Sequence, residues 1–323
     1  MNNETSCTSL NRGWTEFMSR TPATIAVETS ILLLIGLVAI GGNLLVVLSI
    51  YRNPSLRTIT NYFVLSLAVS DILYPVSVIS ITVVASIRGR SSVGSHVCGF
   101  QAIFSSSLVV VSVNTITLMA INRFVRVCKP QKYKKIFHRK TSITMIGAVW
   151  IASFTGMTLI NSMGVSVYSR LSPYKIMCVF AYYDNKKPRI IISNLPHVFC
   201  LFLPFTIIVY CYFKVFKKIR EHKRNVAPSN QGRLGTSVQE IKVTWVLFTM
   251  LVGYCLTWVL VLGVLLASSI SCRYEYQLPR EIHMIVTYGI ASGSILNPII
   301  YGVFNMAFRL EYKRILIQWY SCT

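Results

Sequence analysis

The sequence predicts an all-α membrane protein, a seven-transmembrane helix bundle with a C-terminal amphipathic surface helix. Three observations carry that reading. Hydrophobic residues make up 53% of the 323 positions and charged residues only 13%, more apolar sequence than a single soluble core of this size uses. Seven apolar stretches each reach the ~20 residues that a hydrocarbon core of roughly 30 Å demands. The positive charge, net +22, is divided unevenly between the segments that join them.

The stretches run over residues 27–51, 61–87, 97–124, 141–163, 190–216, 241–268 and 282–303. Residues 1–26 form a polar, hydroxyl-rich extracellular N-terminus without the basic region or small-residue cleavage pattern of a signal peptide. Within it Asn3-Glu4-Thr5 is an N-glycosylation acceptor if this end lies outside. Residues 27–303 are the transmembrane bundle. With the N-terminus outside, 21 of the 32 Lys and Arg fall on inner loops, inner helix ends and the tail, leaving 11 outside, as the positive-inside rule requires. Seven lie between Arg126 and Lys140 and eight between Lys214 and Lys242. This placement argues for topology, anionic lipid and an acidic inner partner, and against nucleic acid. The longest inner loop, EHKRNVAPSNQGRLGTSVQ, is polar and contains Gly, Pro and Ser. In residues 304–323, Phe308, Tyr312, Ile315 and Trp319 recur at helical spacing with Arg309, Lys313 and Arg314 between them. That pattern predicts an amphipathic helix on the inner membrane surface and a short cytoplasmic tail.

Eight of the nine cysteines divide by location. Cys200, Cys211 and Cys255 lie in apolar spans, where a thiol acts as a small hydrophobe. Cys98 and Cys178 both fall on the outer side, where the redox environment permits a bridge. Cys7 and Cys272 are also outside, and spacing does not decide whether they pair. Cys322 is either lipidated or a free thiol. No spacing resembles a zinc site.

Of ten acidic residues, Asp71 alone falls deep in an apolar span. A carboxylate there is expensive unless paired, hydrated or protonated. Asn43, Ser112 and Asn297 are candidate partners from other spans. Their oxygens suit a hard cation such as sodium, or a water network; a polar cluster that only glues helices is the equal alternative.

Read in order, the spans carry a set of landmarks. Gly42 and Asn43 stand in the first, LAVSD in the second, Cys98 and then Arg123 in the third, and Trp150 in the fourth. Cys178 follows in the outer loop, then Pro204 and Tyr212 in the fifth, Trp258 in the sixth, and NPIIY with FR at the end of the seventh. The chain thereby resembles the rhodopsin-like (class A) G-protein-coupled receptors across all seven spans and the final helix. The resemblance implies a plasma-membrane receptor, not an enzyme, that responds to an extracellular ligand and signals to a heterotrimeric G protein, with arrestin as a further partner. It implies a Cys98–Cys178 disulfide and a sodium ion at Asp71, Ser112 and Asn297, with no other cofactor. It also implies an inner switch: Arg123, restrained at rest in part by Glu240, regroups with Tyr212 and Tyr301 as the sixth helix swings out. Tyr254 and Trp258 would relay the ligand pocket to that switch, and Asn297 and Pro298 shape the seventh helix.

Departures from the family pattern matter as much. Many relatives carry an acid before the Arg where this chain has Asn122, and Phe124 replaces a Tyr. Asn122 offers Arg123 only a neutral hydrogen bond in place of an ion pair, so the restraint is weaker and basal signalling appreciable. Leu260 stands where a kinking proline is usual, so Gly253 and Gly263 become the candidates for a bend. Ser105 occupies the position of the aminergic carboxylate, and Ala291 that of the retinal lysine, which excludes an amine anchored in that way and retinal. INRF together with YGVFNMAFRLEYKRI resembles melatonin receptors in particular and implies inhibitory coupling. In that group a Phe matching Phe180 stacks on the indole. Here Tyr182 replaces an expected Gln, and Ile160 replaces an Asn, with Asn161 next to it but turned by about 100°. His197 lies seven residues before Pro204 rather than four, as likely to pack as to bind. The expected pocket is therefore Ser105, Val109, Asn161, Phe180, Tyr182, His197 and Trp258, for a neutral, aromatic or peptide ligand. Another small-molecule or orphan peptide receptor is the alternative. A transporter or channel would show repeated halves and several intramembrane charges, and an enzyme would show a nucleophile, base and oxyanion group; none is found.

Overall fold

The computed structural model describes residues 13–89, 93–162, 167–182, 187–225, 245, 248–249, 252–253, 255–257, 259–261, 263–264 and 280–322. Helix α1 spans Pro22–Arg52, α2 Ile59–Arg88, α3 Ser95–Cys128, α4 Arg139–Ser162 and α5 Lys187–Asn225. The described residues of 245–264 are helical and belong to α6; α7 spans Arg280–Phe304 and α8 Met306–Cys322. Among the described residues, α1, α2, α3, α4 and α7 are long and apolar enough to cross a membrane. Strands β1 (Val167–Ser172) and β2 (Met177–Tyr182) pair antiparallel. We name the two ends by the expected orientation, outer for the Cys98 end and inner for the Arg123 end.

Local signals fix the helix ends. Thr21 caps α1, its hydroxyl accepting from the Thr24 amide, with Pro22 following as first residue. Thr58 caps α2 in the same way. Within α2, Pro75 has no amide proton to give, and the chain answers with a π-helical turn over Pro75–Ile79. Helix α3 packs against α2, α4 and α5, while α7 closes on α1, and α8 runs beneath α1 and α7. Leucines 33, 34 and 37 of α1, Phe202 and Phe213 of α5, and Val259 and Leu260 of α6 are exposed, the arrangement a hydrocarbon solvent favours. Small residues bring helices together: a Cβ on Gly42 would meet Pro298 Cγ at 2.8 Å, so only glycine allows α1 and α7 this approach. Gly253 faces Leu296 and Ile300 of α7, a close-packing role for a position expected to bend α6.

The final helix corrects one expectation. Phe308 and Ile315 are buried and Tyr312 is half-buried, Phe308 and Tyr312 packing in the inner core cluster with Tyr301. The predicted membrane stripe is thus the face that docks on the bundle, and of its members only Trp319 is exposed. The exposed apolar line is Met306, Leu310, Ile317 and Tyr320, one helical face with Lys313 in its middle. A sequence with two apolar faces carries a weak amphipathic signal. Arg52 bonds Gln318, and Asn53 Nδ2 donates to Glu311 Oε2 at 3.3 Å, tying α8 to the end of α1.

Candidate functional site

A polar line runs down the middle of the bundle. Asp71 of α2 and Asn297 of α7 face each other, with α7 drawn close to α1 at Gly42 and Asn43, and Asn297 Nδ2 donates to Asp71 Oδ2 at 2.6 Å. Beside them lies a cavity of about 40 Å³ that Ser70, Ser112, Ser294 and Val109 also line, room for a water molecule or a small ion. Ser70 and Ser112 share a hydrogen bond at 3.1 Å. The donor set is all oxygen with one carboxylate, which fits a hard monovalent cation. Among the described residues no three His, Cys, Asp or Glu gather as a metal site. One expectation needs correcting. Asn43 does not reach Asp71: its Nδ2 donates to the Ala39 and Ser294 carbonyls, both at 2.9 Å, so it fastens α1 to α7. Val109, expected in the ligand pocket, also lines this cavity.

The inner end holds the second polar group. Asn122 and Arg123 are buried on α3. Thr60, at the start of α2, joins them: its Oγ1 accepts from Arg123 Nη2 and donates to Asn122 Oδ1, each at 3.2 Å. The Asn–Arg restraint is therefore relayed through a hydroxyl, where a direct bond was expected. Asn122 Nδ2 also donates to Tyr133 Oη at 3.4 Å. Tyr212 and Tyr301 are buried in the same apolar cluster. Tyr212 packs on Phe248 of α6 with centroids 5.8 Å apart, and Tyr301 on Phe308 at 5.2 Å. Among the described residues the buried Tyr301 hydroxyl has no hydrogen-bond partner, an expensive arrangement.

At the outer end Cys98 and Cys178 form a disulfide, which pins the β-hairpin over the mouth of the bundle. Gln101, one turn below, makes the seat. It donates to the Val78 carbonyl and Thr82 Oγ1 and accepts from the Cys178 amide, at 3.0, 2.9 and 2.9 Å. The hairpin tip turns inward: Ile176 is fully buried with φ 52°, a costly conformation for a β-branched residue that the packing enforces. Thr287 Oγ1 donates to the Lys175 carbonyl at 3.0 Å. Alternation along β2 sends Met177 and Val179 to the cluster with Tyr74, Leu108 and Ala291, and Cys178 and Phe180 to the outer cluster with Phe17 and Met284. Ser105 is buried against the Tyr74 hydroxyl. Asn3, Cys7, Glu240, Tyr254, Trp258 and Cys272 lie outside the described residues, as do the side chains of Asn161, Tyr182, His197 and Cys322. Of the expected pocket, Ser105, Val109 and Phe180 are thus described: Ser105 lies against Tyr74, Val109 lines the cavity that Tyr74 also lines, and Phe180 packs in the outer cluster.

Residues 42–301 match the family model described as "7 transmembrane receptor (rhodopsin family)". The chain belongs to that family. Among its relatives, the melatonin receptor type 1A of Phodopus sungorus is 28% identical over 282 residues, 87% of this chain and 77% of that one. The type 1A receptor of Gallus gallus is 29% identical over 305 residues, covering 94% and 83%. The type 1B receptor of Homo sapiens is 27% identical over 304 residues, covering 94% and 81%. These similarities bear out the resemblance read from the motifs. The chain is therefore a multi-pass plasma-membrane receptor of the melatonin-receptor type, in a family of signalling proteins.

For such a receptor, sequence reading missed three functional-site residues. Thr60 lies just before the second apolar stretch, and nothing in the sequence ties it to residues 122 and 123. Gln101 is a polar residue inside an apolar span, a signal that was legible. Glu28 was read as lying at the edge of the first span. Helix α1 begins at Pro22, which makes Glu28 a second buried acid, above Asp71 and ion-paired to Arg20 and Arg280. It is already matched by two cations, so it supplies no vacant counter-ion for an amine.

Proposed function

We propose that this receptor, its N-terminus outside, binds a small neutral or aromatic extracellular ligand in the outer half of the bundle and relays the event to a heterotrimeric G protein of the inhibitory type, with arrestin as a later partner. One observation carries the reading: the buried Asn122–Thr60–Arg123 relay beside a Tyr301 hydroxyl that lacks a partner among the described residues. Arg123 is held by α2 in this arrangement, and Tyr301 is left with an unmet hydrogen bond. A second arrangement, with α6 moved outward and Arg123 regrouped with Tyr212 and Tyr301, relieves that deficit. Two arrangements that ligands at opposite ends bias differently are what allosteric signalling needs. The neutral latch at Asn122 makes the second arrangement easier to reach, and appreciable basal activity follows.

The ligand class rests on similarity to melatonin receptors and on Phe180. Melatonin and related indoles come first, other small neutral ligands and peptides second, because Tyr182, Asn161 and His197 depart from that pattern. A sodium ion belongs to the same reading. The Asp71 carboxylate, the Ser112 hydroxyl and the Asn297 amide oxygen would hold it, neutralising the acid where three helices meet. The test is a cell assay of melatonin, indoles, other small neutral ligands and peptides against several G-protein reporters, followed by guanine-nucleotide exchange on purified G protein. Ligand-driven exchange supports the reading; ion flux without any exchange overturns it in favour of a channel or transporter.

A further inference from the structure

The outer rim holds a charged cluster that the signalling switch does not use. Arg280, the first residue of α7, donates from Nη1 and Nη2 to Glu28 Oε1 and Oε2 at 2.5 and 2.8 Å. Arg20 donates from Nη1 to Oε2 of the same carboxylate at 2.8 Å. The three side chains are only 5 to 10% exposed. Arg20 is held further by the Ser86 hydroxyl and carbonyl and the Phe17 carbonyl, and lies 3.9 Å over the Phe17 ring. Among the described residues, two guanidiniums thus share one carboxylate, a buried surplus of one positive charge. Among the same residues, the buried Nε–H of Arg280 has no acceptor.

Both observations ask for the same thing. An uncompensated buried cation calls for an anion, an unsatisfied guanidinium N–H calls for an oxygen acceptor, and the planar fork of Arg matches a carboxylate. The α7 amino terminus adds a favourable partial charge. Tyr288, on the same helix, packs against both the outer and the middle clusters, so the rim stands directly above the part of the bundle where a ligand would sit. We infer that Arg20, Glu28 and Arg280 form an anion subsite at the outer rim, which takes the carboxylate of a small extracellular ligand on the Arg280 guanidinium beside Glu28. When it is filled, two carboxylates face two guanidiniums. Because Arg20 and Phe17 belong to the segment before α1, filling the subsite is coupled to the seat of that segment. The subsite stands independently of the indole reading.

The full-length receptor in lipid nanodiscs is titrated calorimetrically, at constant ionic strength, with two matched pairs: indole-3-acetate against indole-3-acetamide, and succinate against succinamide. The acids are expected to bind about tenfold more tightly than the amides. That preference disappears in Arg280→Gln and grows in Glu28→Gln, where the internal competitor has lost its charge. Arg20→Gln, which keeps the α1–α7 ion pair, weakens the preference and serves if Arg280→Gln does not fold. Preference for succinate without preference for indole-3-acetate supports the subsite and sinks the indole pocket. Equal binding of acid and amide in the wild type and in Glu28→Gln overturns the inference, as does a preference that survives both arginine substitutions.

Discussion

Asn122→Asp is the substitution that most directly probes the inner switch. Asn122 is fully buried, and its Oδ1 accepts from the Thr60 hydroxyl, whose oxygen in turn accepts from Arg123 Nη2. An Asp at this position converts the neutral link into a charge-assisted one and sets a carboxylate one hydroxyl away from the guanidinium. Net hydrogen bonds contribute about 1 kcal/mol when neutral and about 1.5–3 kcal/mol when charged, a gain of about 1 kcal/mol after part is lost to desolvating the new carboxylate. Since about 1.4 kcal/mol is a factor of ten, ligand-free activity should fall about three- to tenfold. The assay is guanine-nucleotide exchange by purified receptor and G protein without ligand. Thr60→Val, which removes the relay, should raise basal exchange and erase most of the Asp effect in the double variant. Unchanged or increased basal exchange in Asn122→Asp would refute the latch; an undiminished effect in the Thr60→Val background would refute the route through Thr60.

Other substitutions test the scaffold and the cavity. Gly42→Ala forces a methyl against Pro298 Cγ at 2.8 Å and is expected to destabilise by about 1–3 kcal/mol, read as a lower thermal unfolding midpoint in detergent. Gln101→Leu strands the Cys178 amide, which should cost about 1–3 kcal/mol and make the hairpin amides exchange with deuterium faster. Asp71→Asn should abolish any dependence of ligand affinity on sodium measured against potassium at equal ionic strength; an unchanged sodium effect would place the cation elsewhere.

Much of this architecture was legible because a bilayer imposes length and polarity rules that a single chain displays openly. The positions of Asp71, Arg123, Cys98 and Cys178 followed from span boundaries and ordered landmarks, and the disulfide and the Asp71–Asn297 bond stand where those led. What sequence hid is contact between elements. Thr60 reaches Asn122 and Arg123 across sixty-odd residues, and no periodicity encodes such a meeting. Glu28 was misplaced because a span edge drawn by hydropathy falls several residues short of Pro22, where the helix begins. The stripe of α8 was assigned to the wrong partner because periodicity says which residues share a face, and is silent on whether lipid or protein covers it.

The π turn at Pro75–Ile79 sets more than a local irregularity. One residue inserted into a helical turn rotates everything beyond it by about 100° relative to a regular helix. Thr82 and Ser86, both beyond the turn, are the residues that meet Gln101 and Arg20. On an unbroken helix those hydroxyls would face another direction, and neither the hairpin seat nor the outer charge cluster could assemble on α2. A single missing amide proton thus phases the outer half of the receptor against its inner half, so that the two halves of α2 can change in sequence independently while the turn keeps them in step.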